Sequence, residues 1–62
     1  MQIAKAVRDA AKNCGISCKG LTVKGLQEIH NKLKHPEYAD QFDMMLEEVL
    51  VVAMKQNENF VL

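Results

Sequence analysis

Cys14, Cys18, His30 and His35 are the residues of this 62-residue chain best equipped for chemistry. Their spacing, Cys-x3-Cys-x11-His-x4-His, gathers two thiols and two imidazoles into one stretch of sequence. That donor set suits tetrahedral zinc, whose binding energy adds directly to the folding of a small domain. A thiol beside an imidazole is also the start of a nucleophilic site, but such a site needs a third group to orient the base. No residue stands in an obvious position for that role, and there is neither a glycine-rich phosphate loop nor a carboxylate pair across a plausible cleft. The expectation is a non-enzymatic chain that requires no cofactor and takes no small-molecule substrate, with zinc held open at Cys14, Cys18, His30 and His35.

Helices must position these side chains. Ile3, Ala6, Val7, Ala10 and Cys14 recur at helical spacing while Lys5, Arg8, Asp9 and Lys12 fall largely elsewhere on the wheel, which predicts a helix over about 2–14 that stops at Gly15. Residues 15–21, with Gly15, Ser17 and Gly20, have no period and read as a loop. Thr22 then caps a second helix, about 22–34, with Val23, Leu26, Ile29, His30 and Leu33 as its buried stripe. Pro36 opens a third, about 36–56, where Glu37 and Asp40 complement the dipole of its first turn. The predicted fold is all-α, a single three-helix domain over 1–62 with a short tail at 57–62.

The third helix is expected to be the longest and to carry more apolar surface than the fold can use. Tyr38, Phe42, Met45, Val49 and Val52 make one stripe, Leu46, Leu50, Ala53 and Met54 widen it, and Met44 and Val51 lie outside even that arc. Such an excess is the mark of an association surface. The predicted contact is Met44, Leu50, Val51 and Met54, with Phe60, Val61 and Leu62 from the tail. A competing local reading makes Val49–Met54 a strand paired with Asn59–Leu62.

Chain size argues the same way. Ordering each residue costs ~1.5 kcal/mol, so folding opposes roughly 90 kcal/mol of entropy, while the roughly 3,500 Å² of apolar surface that a chain of this mass buries returns about 88 kcal/mol at ~25 cal/mol per Å². The near-balance leaves a marginal monomer that gains from a partner.

Zero net charge conceals a polarity. Through His35 there are seven Lys and Arg against Asp9 and Glu28, a net charge of +5, and from Pro36 onward Lys55 faces six carboxylates, a net charge of −5. The two halves can attract each other within the fold, or the basic half can meet an anionic partner. The cysteine–histidine spacing resembles the C2H2 zinc finger with its central spacer one residue short. Residues Ala10–Ser17 look like the first helix and turn of the helix-turn-helix in lac-repressor-type regulators, with Thr22 and Val23 resembling the start of the recognition helix about two residues late. That resemblance implies Lys19, Thr22, Lys24 and Gln27 in the major groove and Lys5, Arg8 and Lys12 near phosphates. A fainter echo of the SAP-type DNA-binding helix at Leu21–Leu26 lacks the second helix that family needs.

With no apolar leader and no apolar run long enough to span a bilayer, the chain is expected to be cytoplasmic, with reduced thiols and no membrane contact. Its expected function is regulation or inhibition by stoichiometric binding to another protein, as a homodimer. The alternatives are a dimeric helix-turn-helix-like DNA-binding regulator and a zinc-stabilised module.

Overall fold

A computed structural model describes residues 2–37 and 44–62, in three helices: α1 (Ile3–Asn13), α2 (Val23–Leu33) and α3 (Met44–Asn57). The domain is all-α, and the third helix is slightly the longest at 14 residues against 11 and 11.

Along α1 the buried residues are Ala4, Val7, Ala10 and Ala11, one helical face made mostly of the smallest apolar side chain. Small side chains let helix axes approach closely, and α1 packs more extensively against α3 than α2 does. The helix ends in a Schellman motif. Gly15 adopts φ 75°, its N–H donates to the Lys12 carbonyl at 3.0 Å, and the Ile16 N–H donates to the Ala11 carbonyl at 2.9 Å. A second tight turn follows, in which the Leu21 N–H donates to the Cys18 carbonyl at 3.0 Å and Gly20 takes the positive φ (81°) that the turn requires.

Helix α2 begins at a well-made cap. The amide groups of a first helical turn lack intrahelical acceptors, and here those of Val23, Lys24 and Gly25 each find one, while Leu26 makes the first intrahelical bond. The Thr22 hydroxyl oxygen accepts from the Gly25 N–H at 3.0 Å and the Thr22 carbonyl accepts from the Leu26 N–H at 3.0 Å. The remaining two are taken by the far end of the chain, as the Val23 N–H donates to the Phe60 carbonyl at 2.9 Å and the Lys24 N–H to the Glu58 carbonyl at 2.8 Å. Thr22→Ala would strand the Gly25 amide and is expected to cost about 1 kcal/mol, lowering the melting temperature by about 4–8 °C. A thermal melt followed by circular dichroism checks it.

The core is Val7, Ala10, Ala11, Val23, Leu26, Leu46, Leu50 and Ala53, with Ile3, Cys14, Ile16, Cys18, Val49, Met54, Phe60 and Leu62 packed around it. α1 and α2 make no close backbone approach to each other, so α3 is the element against which both others rest. The radius of gyration, 10.5 Å, and the accessible surface, 4196 Å², both match a folded chain of this length, for which roughly 10.5 Å and about 4,000 Å² are expected. The hydrophobic core therefore closes within one copy.

The structure corrects the sequence reading at two points and decides between its two alternatives at a third. Pro36 and Glu37 lie in a tighter turn and not in the first turn of a continuous α-helix from 36; Tyr38, Asp40 and Phe42 lie outside the described residues. The inward stripe of α3 is Leu46, Leu50 and Ala53, while Met45 and Val52, assigned to the buried stripe, are exposed at 62% and 44%. Residues 49–54 are helical, so no strand forms there, and the tail pairs elsewhere: Val61 makes an antiparallel bridge with Thr22, and the Leu62 N–H donates to the Leu21 carbonyl at 2.7 Å.

Candidate functional site

The outward face of α3 holds the largest exposed apolar side chains of the described residues. Leu46, Leu50 and Ala53, at i, i+4 and i+7, turn inward, and helical geometry at 100° per residue carries Met44, Glu48, Val51 and Lys55 to the opposite side, with Met45 and Val52 alongside. Met44 is 60% exposed, Met45 62%, Val51 48% and Val52 44%. Glu48 and Lys55 are on the same side of the helix. They form its central line, and the pairs Met44/Val51 and Met45/Val52, each seven residues apart, flank that line on either side. Chemically this face is apolar area bordered and divided by single charges.

The residues predicted for the contact divide into three groups. Met44 and Val51 are on the exposed face. Met54, Phe60 and Leu62 are half-buried against the core. Leu50 is fully buried and belongs to the core, because its position on α3 points between the two shorter helices. Met45 and Val52 belong to the face and were missed. The charges held the missing signal: Glu48 and Lys55 must reach water, and the side of the helix opposite them is the one occupied by Leu46, Leu50 and Ala53.

The four potential zinc ligands are spread over different environments. Cys14 caps the C-terminus of α1 and Cys18 sits in the following loop, both half-buried. His30 is fully buried within α2, and His35 lies beyond the end of α2, exposed, its Nδ1 accepting from the Glu37 N–H at 3.4 Å. Among the described residues no three of His, Cys, Asp and Glu come together as a metal site.

The basic residues occupy surface positions without assembling the geometry of a helix-turn-helix. Lys5, Arg8, Lys12, Lys19 and Lys24 are exposed, whereas Thr22 and Gln27 are half-buried. Arg8 Nε donates to the Leu62 carbonyl at 3.2 Å, and Gln27 Nε2 donates to Asn31 Oδ1 at 2.9 Å. A recognition helix offers its N-terminal turn to the major groove and packs on the helix before it. Here the first turn of α2 is covered by residues 58–62, and α1 and α2 rest on α3 instead of on each other. One ion pair, Lys34 with Glu47, joins the basic half of the chain to the acidic half.

Among the described residues, no helix is long and apolar enough to cross a membrane. No protein-family model matches the chain, and no curated protein or solved structure is significantly similar to it.

Proposed function

We propose that the chain is a small regulatory or inhibitory protein that works by stoichiometric protein binding, with the outward face of α3 as its contact and a second copy of the chain as its first partner. One observation carries this reading: a domain whose core closes within one copy still exposes four large apolar side chains, Met44, Met45, Val51 and Val52, on a single helix. Isolated exposed apolar residues are ordinary, whereas four on one helix face, divided only by Glu48 and Lys55, support an association surface.

Size sets the expected strength. A patch on the order of a few hundred Å² falls short of the about 800 Å² per partner that stable complexes bury, so self-association in the micromolar range or weaker is expected. Val51→Glu tests the face. The substitution is on the surface, so helical circular dichroism should be unchanged, while self-association measured by sedimentation equilibrium should weaken by at least tenfold, because burying an unpaired carboxylate is costly. Self-association undiminished in Val51→Glu would remove α3 from the contact.

A further inference from the structure

We infer that the second copy docks on α3 in an antiparallel arrangement, with the two-fold axis passing between Val51 and Val52 so that Glu48 of each copy faces Lys55 of the other. This inference rests on the reading of α3 as an association face and adds its orientation and register.

The argument begins with two charges of opposite sign on the central line of the face. Glu48 and Lys55 are seven residues apart, two helical turns and about 10.5 Å along the axis, too far to pair with each other. Neither has an ion-pair partner among the described residues. Any partner helix laid along this face meets both of them. A second copy in parallel register would set Glu48 against Glu48 and Lys55 against Lys55. An antiparallel copy centred on Glu48 would again oppose the two carboxylates, and one centred on Lys55 the two ammonium groups. Centring between the two charges is the arrangement that turns both confrontations into attractions, and a two-fold axis forms each contact twice.

The apolar residues follow the same register. With the axis between Val51 and Val52, the four valines of the two copies meet at the centre, the most desolvated position. Met44 and Met45 lie toward the ends of the contact, where their flexible thioether side chains adapt to the partner's surface beyond its α3 C-terminus. The charges add little affinity, since exposed ion pairs contribute little each, but they discriminate strongly among orientations by penalising the alternatives.

Charge reversal tests the register on the full chain. Glu48→Lys alone sets two ammonium groups against each other at both ends of the contact, and Lys55→Glu alone sets two carboxylates there; each should weaken self-association roughly tenfold at low salt. The double variant Glu48→Lys/Lys55→Glu restores opposite charges at both ends and should return association to the starting value. In a parallel dimer the single reversals exchange one like-charge confrontation for another, so neither single variant would weaken association and the double variant would restore nothing. Sedimentation equilibrium at low and at high salt reads all four proteins, and the differences should shrink with salt as the charges are screened.

Two failures are distinguishable. If Val51→Glu disrupts association but the single reversals leave it intact, the face stands and the antiparallel register is overturned. If the unsubstituted chain remains monomeric up to about 1 mM, self-association itself is overturned and the register falls with it.

Discussion

Leu50→Ala is expected to destabilise the domain by roughly 2–5 kcal/mol and to leave a substantial fraction of the chain unfolded at 25 °C. Leu50 has no exposed surface and sits in the cluster formed by Val7, Ala10, Ala11, Val23, Leu26, Leu46 and Ala53. Truncation leaves a cavity in this cluster, whose three alanines and two valines are too short to fill it. At about 0.05–0.15 kcal/mol per residue, a domain of 62 residues has only about 3–9 kcal/mol in total. The loss is thus comparable to the whole. Urea denaturation at low protein concentration checks it, and the outcome separates two roles for the same residue. A core residue lowers the denaturation midpoint independently of protein concentration, whereas an interface residue would leave the dilute monomer as stable as before.

The second large effect is expected from removing residues 58–62. This segment accepts the Val23 and Lys24 amides at the start of α2, donates through Leu62 to the Leu21 carbonyl, and lays Phe60 and Leu62 against the core. Deletion gives up the three backbone hydrogen bonds to residues 21–24, roughly 1 kcal/mol each, and the partial burial of two large side chains, a combined loss of about 4–6 kcal/mol. The effect should be uneven. α2 loses the acceptors of its first turn and makes the lesser contact with α3, so it should open first, while α1, packed on α3 through its alanine face, should open last. Amide hydrogen exchange reads this directly: Val23 to Leu26 should lose protection before Val7 to Ala11. Phe60→Ala is the milder companion, which keeps every backbone bond and should cost about 1–2 kcal/mol through lost packing alone. Equal loss of protection in α1 and α2 would show that the segment supports the fold as a whole and not specifically the start of α2.

These two results bear on the same structural point. The face of α3 is left exposed because the core is completed on its other side, partly by the returning tail. Phe60 and Leu62 contribute to that closure, and Val61, 61% exposed, is the apolar residue of the tail most open to solvent.

Local structure was legible in the amino acids alone. Three helices follow from apolar residues at helical spacing, and two of their ends follow from chemistry that acts within a few residues: the left-handed conformation accessible to Gly15 and the hydroxyl of Thr22 reaching the amide three positions on. Packing selected the rest, for two physical reasons. The phase of α3 was marked only by its few charges, Glu48 and Lys55 above all, because apolar residues lie on every side of the helix; packing against α1 and α2 put Leu46, Leu50 and Ala53 inside and left Met45 and Val52 outside. The placement of residues 58–62 left no periodic trace, because main-chain groups form those hydrogen bonds and every residue carries the same main chain. Which amides and carbonyls meet across such a distance in sequence is fixed only when the helices pack.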